Sequence, residues 1–475
     1  MNSHGFFLAM GVALAASAPA AAFDLGGRPV DLAVSPIASA PDSTTTVVGS
    51  QADLTTSLDN LETRLHFGLE TGPKTSEWER GRWDGNKLAF GAVWTPSDRA
   101  KLELNANSQN RRDVDLITPA DVTDARREVF TQDSQARAAA TLALYTPLSL
   151  TVGGDASTRG VRTDLSDDPA VDRLWTRSRE VFSTLTWHVS PMLQLQSGAR
   201  LHTLGVDWVG AGDGTGDYTF VEPEISGALT PWNGAAWRLG LARVVSPLNT
   251  DQFIDYAKTV QPGSHVAFAP DQAWRYQASF SQKLKAASVS ATITQSRLQA
   301  VTDYGPTLGG EAPMDIGGGS RREFEGVFST PVKLFGITGT TLRARTSFRD
   351  SEVRDPFTGQ TRRASGEAPY DAQVSLSQQA AGMRWGVTAQ ATGAAHIYQM
   401  SQVVTRSANT GLGAFVEYDP GPVRVRLNLD NVVGGERLEQ TVYYAGSRAY
   451  GQPSSFDQTR TAERAIGLTL TRPLN

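Results

Sequence analysis

Apolar and polar residues alternate with a period of two along most of the chain, from about residue 61 to its end. Residues 423–430 show the pattern clearly, with one face formed by Val423, Val425, Leu427 and Leu429 and the other by Arg424, Arg426, Asn428 and Asp430. The alternation recurs at 192–202, 274–281 and 342–349. Successive side chains of a strand point to opposite faces, and helical spacing fits none of these segments. The pattern therefore predicts an all-β chain whose strands each have one apolar and one polar face.

The connections between these strands alternate strictly between short and long. Eight short turns, most of them marked by Pro or Gly, lie near 95–98, 146–148, 189–192, 230–234, 284–287, 331–338, 379–383 and 419–422. Outer-membrane barrels have short periplasmic turns and longer external loops, whereas a soluble sandwich has no reason to keep this order. The sequence thus predicts a transmembrane antiparallel β-barrel of about 18 strands, within a range of 16 to 22.

Aromatic residues cluster near the short turns. They are Trp94, Tyr145, Trp187, Trp232, Phe415 and Tyr418. Clustering at one end of the strands favours an interfacial aromatic girdle, and the alternative is ordinary packing of strand ends in a core.

The start of the chain resembles an export signal. Residues 6–22 are the only long apolar run and end in three alanines, which is typical of a cleavage site. The alternative is a transmembrane anchor, for which seventeen residues rich in Ala and Gly are short. We therefore expect a signal peptide at 1–22, an N-terminal periplasmic or lumenal segment at 23–60 and a barrel at 61–475.

Composition excludes several other classes of protein. The 475 residues are 40% hydrophobic and 20% charged, contain no Cys and only six His, and have a net charge of −5. The absence of Cys excludes disulfide scaffolds and thiolate zinc sites, and the balanced charge gives no field that would attract nucleic acid. The sequence contains none of the common catalytic or nucleotide-binding motifs, so we predict neither an enzyme nor a cofactor or metal site.

Arginines dominate the polar faces of the predicted strands. Our candidates for lumen-lining residues are Arg200, Arg275, Arg343, Arg345, Arg384, Arg424 and Arg426. Rings of Arg in a pore favour anions. In the alternative interpretation these arginines pair with acidic or polar neighbours and form structural ladders across strands.

Five segments in the last 230 residues or so resemble the C-terminal barrel of TonB-dependent outer-membrane receptors in their order and spacing. They are residues 244–255, 350–359, 362–367, 427–434 and 444–448. The family carries a plug of more than a hundred residues inside a 22-stranded barrel, and 23–60 is too short to form such a plug. The resemblance therefore implies a receptor-type barrel that lacks the plug domain.

These observations favour a barrel in the outer membrane of a Gram-negative bacterium that passes or binds a small solute. The alternative is a structural or accessory barrel whose loops bind a partner without transport. The expected partners are outer-membrane lipid, a small solute that is anionic if the arginines are unpaired, and either a separate plug or a TonB-type protein.

Overall fold

Nearly every described residue lies in an antiparallel strand or in a connection between two strands. A computed structural model of the chain describes residues 21–24, 29–40, 47–58, 60–75, 79–117, 125–165, 171–210, 214–247, 253, 269–307, 310–334, 337–380, 382–418, 424–434, 437–461 and 465–471.

The strands, in chain order, are β1 (Ala21–Asp24), β2 (Pro29–Ala40), β3 (Val47–Leu58), β4 (Leu61–Thr75), β5 (Glu79–Ser97), β6 (Ala100–Ile117), β7 (Ala125–Tyr145), β8 (Leu148–Leu165), β9 (Val171–His188), β10 (Leu193–Gly210), β11 (Gly214–Leu229), β12 (Ala235–Val245), β13 (Gln272–Leu284) and β14 (Ala287–Ala300). They continue as β15 (Thr302–Thr307), β16 (Gly310–Asp315), β17 (Gly319–Leu334), β18 (Ile337–Arg354), β19 (Thr361–Arg362), β20 (Tyr370–Ala380), β21 (Met383–Thr392), β22 (Ala395–Tyr398), β23 (Gln402–Arg406), β24 (Asn409–Tyr418), β25 (Arg424–Asp430), β26 (Arg437–Tyr444), β27 (Pro453–Thr461) and β28 (Ala465–Thr471).

Among the described residues, the main sheet has 22 strands and closes on itself. β2 to β14 follow one another in chain order, and the ring continues through β17, β18, β20, β21, β24, β25 and β28. β28 then pairs with β2, from Ile37 opposite Thr471 to Ala40 opposite Leu468. Two of the 22 strands are side strands, which pair with one ring strand each without being part of the ring: β1 pairs with β2, and β19 pairs with β18. The ring itself therefore has twenty strands. The predicted antiparallel barrel is confirmed, and its strand number lies within the predicted range.

The predicted start of the barrel at residue 61 is corrected by the two additional strands. β2 and β3 pair with each other and join β28 to β4, so that much of the 23–60 segment belongs to the wall. This segment alternates weakly, because Ala and Ser are frequent in it and suit either face of a sheet. Residues 1–20 of the predicted signal peptide lie outside the described residues.

All eight predicted short turns lie between strands that are neighbours in the ring, and β3 and β4 are likewise neighbours joined by a short connection. The turn at 230–234 shows why its residues suit it. Gly234 has a φ of 83°, and a Cβ at this position would lie 2.7 Å from the carbonyl oxygen of Lys283. The long connections at the opposite end carry two small sheets, β15–β16 and β22–β23–β26–β27.

Large apolar side chains lie in register on one face of the ring strands whose side chains the structure describes. Leu65 faces Phe90, Ile293 faces Phe324, and Val416 faces Leu427. Many of these side chains remain widely exposed, as Val181 does at 65%. Buried polar residues such as Glu222 and Ser347 lie on the other face. We therefore assign the apolar face to the outside, where it forms a band that needs a non-aqueous neighbour.

Five of the six aromatic residues predicted near the short turns have widely exposed side chains. They are Trp94, Tyr145, Trp187, Trp232 and Tyr418. Phe415 differs, because its position on β24 places it on the polar face, where it contacts arginine side chains. The expectation that Phe415 belongs to the girdle is therefore wrong.

Candidate functional site

The predicted arginines all occupy the polar face of the wall by their register. Arg200 lies on β10, Arg275 on β13, Arg343 and Arg345 on β18, Arg384 on β21, and Arg426 on β25. Arg424 begins β25 and shares the strand face of Arg426, but its side chain lies outside the described part of the chain. The candidates are therefore spread over five strands of the wall, and only some of these arginines lie close to one another.

Arg384 and Arg426 meet around one carboxylate and one ring. Both residues lie opposite Glu417 on the intervening strand β24. The Nη1 of Arg426 is 3.6 Å from Oε2 of Glu417, and its guanidinium lies 4.2 Å from the centre of the Phe415 ring. The guanidinium of Arg384 lies 5.8 Å from the same ring. By register the two arginines flank one glutamate, so the positive charges outnumber the negative ones among these described residues.

Arg200 lies in a part of the wall that is acidic rather than basic. Its Nη2 is 3.1 Å from Oε2 of Glu224, and its Nε is 4.0 Å from Oε1 of Glu180. Two residues further along β10, Nδ1 of His202 is 3.3 Å from Oε1 of Glu222. Three glutamates surround one arginine here, so Arg200 is part of a cross-strand ladder and offers no free positive charge to the lumen.

The remaining candidates divide into one paired and two unpaired arginines. Arg345 is 3.9 Å from Oε1 of Glu325 on the neighbouring strand β17. Arg343 and Arg275 are exposed and make no ion pair with any described residue. The structural-ladder interpretation therefore fits Arg200, Arg345 and Arg426, whereas Arg275 and Arg343 keep charges that could attract an anion.

A second group of charges lies in the long connections outside the wall. We call Asp303, Asp355, Arg362 and Arg448 the outer ion cluster. Arg362 donates from Nη1 to Oδ2 of Asp303 at 2.9 Å and from Nε to Oδ2 of Asp355 at 2.7 Å. Arg448 donates from Nη2 to the same Asp355 oxygen at 2.8 Å. All four side chains are buried, so their charges are compensated almost entirely by one another.

The outer ion cluster joins all four of the last long connections. Its members come from the connections β14–β17, β18–β20 and β25–β28. Tyr398, from the connection β21–β24, lies beneath both arginines, with its ring centre 4.5 Å from the guanidinium of Arg362 and 5.5 Å from that of Arg448. This packing ties separate loops into one layer at the long-connection end of the barrel.

Asp355 is the centre of this cluster. Its Oδ1 accepts hydrogen bonds from the backbone N–H groups of Phe357 at 2.9 Å and Thr358 at 3.0 Å. Burial alone would raise the pKa of Asp355, but the hydrogen bonds from Arg448, Thr358 and Arg362 outweigh burial and lower the pKa to about 2. Asp355 is therefore a carboxylate at any physiological pH.

A cavity of about 260 Å³ lies beside the outer ion cluster. Asp271, Asp303 and Arg321 contribute its charged groups. Asp271 accepts a hydrogen bond from the backbone N–H of Thr302 at 2.6 Å, and burial raises the pKa of the Asp271 carboxyl. Arg321 also pairs with Glu367 across the rim. The cavity has the volume and the polar lining to hold a small polar molecule.

Sequence patterns did not identify the outer ion cluster as a site. Three of its members nevertheless lie in the segments that carry the family resemblance: Asp355 in 350–359, Arg362 in 362–367 and Arg448 in 444–448. Another such segment contains Phe253, which is completely buried and packs edge-on against Trp208 of β10 with ring centres 5.3 Å apart. The resembling segments thus contribute to the packing of the long connections.

Within the described ranges, no group of three or more His, Asp or Glu residues is arranged to hold a metal ion. No helix in the same ranges is long and apolar enough to cross a membrane.

Solved structures with the same architecture include a transporter and two uptake receptors. The copper transporter OprC is 12% identical, with 93% of this chain and 82% of that chain covered at a TM-score of 0.64. The ferric yersiniabactin uptake receptor FyuA of Yersinia pestis is 11% identical, with coverage of 95% and 76% and a TM-score of 0.69. The ferric-catecholate import receptor Fiu of K12 E. coli is 10% identical, with coverage of 95% and 79% and a TM-score of 0.68.

The chain has the fold of these receptor barrels. The resemblance to TonB-dependent receptors that the sequence indicated is thereby confirmed at the level of the fold. No family model and no curated protein sequence matches the chain. At 10–12% identity the receptor barrels share its architecture, and their solutes remain properties of those proteins.

Proposed function

We propose that this chain is a β-barrel of the Gram-negative outer membrane that passes or binds a small solute. The closed ring with an apolar outer face and a polar inner face carries this proposal. Lipid cannot satisfy backbone hydrogen bonds, so a wall of strands survives in a membrane only when it has no open edge. A ring of twenty strands is also too wide to be filled by its own wall side chains, which leaves room for a lumen.

Transport is supported by the structural neighbours, which are a copper transporter and two receptors for ferric complexes. These neighbours are transporters and receptors rather than enzymes, and we propose a non-enzymatic role for this chain as well. The unpaired Arg275 and Arg343 favour an anionic solute. Their two charges face the lumen beside neutral strand neighbours, Ser296 for Arg275 and Ser375 for Arg343.

The proposal includes a barrel without a plug of its own. Every strand from β2 onward within the described ranges belongs to the ring, to a side strand or to a long connection. In this account a separate plug or a TonB-type partner would supply any gating or energy coupling that the barrel needs.

Single-barrel conductance in a planar lipid bilayer tests passage of solute directly. The proposal expects a steady ionic current from the refolded chain, because the wall alone leaves the lumen open. A barrel that inserts and stays sealed would contradict passage. The matched control is Asp355→Asn, which loosens the long connections without changing the wall and shows whether those connections close the lumen.

A second candidate function is an accessory barrel whose long connections bind a partner protein. The outer ion cluster favours it, because four tied loops present a fixed surface at one end of the barrel. This role expects a sealed lumen in the unaltered chain, and current in Asp355→Asn only where the tied loops form the seal. Current through the unaltered chain would contradict it.

A further inference from the structure

A row of arginines crosses the outer face of the wall at the side of the long connections. Four adjacent strands, β6 to β9, place in register Arg112, Phe130, Arg162 and Arg173. Exposed apolar residues lie at even spacings along the same strands, such as Leu104 on β6, Val152 on β8 and Val181 on β9. Since side chains alternate between faces, the row points outward with these apolar residues.

Two of these arginines lie directly opposite each other. Arg162 of β8 and Arg173 of β9 are partners in the register, and like charges at such positions repel. Arg173 is exposed and makes no ion pair with any described residue. Arg177 lies on the same face of β9, four residues closer to the short turns, and it is neutralised by Asp207 of β10. The wall thus provides a counter-charge for Arg177 and provides none for Arg173.

A small cavity opens immediately next to the arginine pair. It has a volume of about 220 Å³, and its lining includes Phe130, Gly160 and Trp175 together with both arginines. A Cβ at Gly160 would lie 2.6 Å from the Trp175 ring, so the indole rests directly on the glycine. The cavity therefore combines two aromatic walls with two guanidinium groups at its edge, which suits an amphiphile with an anionic head.

The height of the cavity on the wall matches the outer membrane interface. Trp187, at the short-turn end of β9, and Trp175 are twelve residues apart. At about 3.4 Å per residue and a tilt of about 40°, they are separated by roughly 30 Å along the barrel axis, compared with an apolar band of about 25 Å. Measured from Trp187, the apolar band therefore ends about 5 Å short of Trp175. The arginine pair lies two residues further from the short turns, on the headgroup side of the interface.

We propose that this cavity binds the phosphorylated glycolipid that forms the outer leaflet of the Gram-negative outer membrane. A phosphate bridges Arg162 and Arg173, and the adjoining sugar or acyl segment packs on Trp175 and Phe130. Arginine suits this role because its planar guanidinium binds phosphate oxygens with two parallel hydrogen bonds. The inference rests on the proposed outer-membrane location and adds a lipid ligand to it.

The test measures equilibrium binding of radiolabelled bisphosphorylated lipid A to the full chain, refolded in detergent and immobilised. The double variant Arg162→Gln with Arg173→Gln should bind about tenfold to a hundredfold more weakly than the unaltered chain, because two charge-assisted contacts are lost. The matched control is Arg137→Gln with Arg159→Gln. It removes the same charge from neighbouring strands, but from arginines that face the lumen and pair there with Asp155 and Asp133.

The control variant should bind lipid A within about twofold of the unaltered chain, and dephosphorylated lipid A should bind the unaltered chain at least about tenfold more weakly. Equal loss in both double variants, or equal binding of dephosphorylated lipid A, would overturn the inference. Equally tight binding of inorganic phosphate would also overturn it, since the site would then recognise a free anion.

Heat-modifiable migration in gels monitors folding. A chain that never forms a heat-modifiable barrel would overturn the proposed function too, whereas a folded barrel that ignores lipid A overturns this inference alone.

Discussion

Arg362 and Asp355 form a buried ion pair outside the barrel wall, with Nε and Oδ2 2.7 Å apart and side chains that are only 7% and 1% exposed. Charges on loops are usually solvated, and burying them is costly unless each is paired and hydrogen-bonded. Asp355 satisfies this condition with two guanidinium groups and two backbone N–H groups. The pair therefore holds the long connections together, and its stability depends on every member of the outer ion cluster being present.

Replacing Asp355 by Asn should release the long connections. The change leaves Arg362 and Arg448 without their shared carboxylate, and breaking a buried pair in this way costs about 3–5 kcal/mol. Limited proteolysis of the folded barrel should then cut the long connections about a hundredfold faster or more, while the wall resists. The matched control is Asp350→Asn, which breaks the exposed Arg363–Asp350 pair of 3.0 Å and should cost at most about 1 kcal/mol. Equal cleavage rates in the two variants would contradict a structural role for the cluster.

The same carboxylate predicts an acid transition of the outer layer. The pKa of Asp355 is lowered to about 2 from an ordinary value of 3.8. A lowered pKa stabilises the fold above the ordinary value, and the stabilisation is lost as pH falls from about 4 towards 2. Pepsin cleavage of the long connections should therefore rise over this window in the unaltered chain. In Asp355→Asn, cleavage should already be fast at pH 4 and change less. A parallel pH dependence in both would show that other groups control the transition.

The two faces of β25 should differ in how much a substitution costs. Leu427 lies on the apolar face opposite Val416, so Leu427→Arg should cost about 2–4 kcal/mol if that face meets hydrocarbon near the midplane. Arg426→Leu removes a partly exposed pair with Glu417 and a contact with Phe415, and should cost about 1 kcal/mol. Urea unfolding from phosphatidylcholine vesicles measures both. Equal costs would indicate a wall that is not in contact with lipid.

Anion preference should depend on Arg275 and Arg343, two lumenal arginines that make no ion pair with a described residue. Changing Arg275 and Arg343 together to Gln should shift the reversal potential in a salt gradient toward cation preference, because two fixed positive charges leave the lumen. The matched control is Arg162→Gln with Arg173→Gln, which removes the same charge from the outer face and should leave the reversal potential unchanged. A shift of the same size in both variants would mean that bulk charge, rather than lumenal position, sets the preference.

Local patterns predicted the wall because its determinants are local. Alternation and turn residues are sufficient for β25 or for the turn at 230–234, since both depend on fewer than ten consecutive residues. The outer ion cluster could not be predicted in this way. Asp303 and Arg362 are 59 residues apart, and Asp355 and Arg448 are 93 residues apart, so only the closed ring brings them together.

The sequence predicted which face of the wall the candidate arginines occupy, but it did not predict which of them lie next to a counter-charge. Alternation places both Arg200 and Arg343 on the lumenal face, because the face of a side chain depends only on its odd or even position along the strand. Their neighbours depend on register between strands. That register gives Arg200 three nearby glutamates on β9 and β11 and gives Arg343 a serine, Ser375, on β20.

Cysteine labelling along one strand tests the membrane barrel with an aqueous lumen most directly, because the chain contains no Cys. On β14, Thr292 and Thr294 face the lumen, whereas Ala291 and Ile293 lie on the apolar face opposite Phe280 and Ala278. Each is changed singly to Cys in the refolded, vesicle-embedded chain and treated with a charged, water-soluble maleimide. We expect rapid labelling of Thr292→Cys and Thr294→Cys and little labelling of Ala291→Cys and Ile293→Cys. Labelling of all four positions at similar rates, or of the apolar-face positions alone, would contradict a lipid-embedded barrel with a water-filled interior.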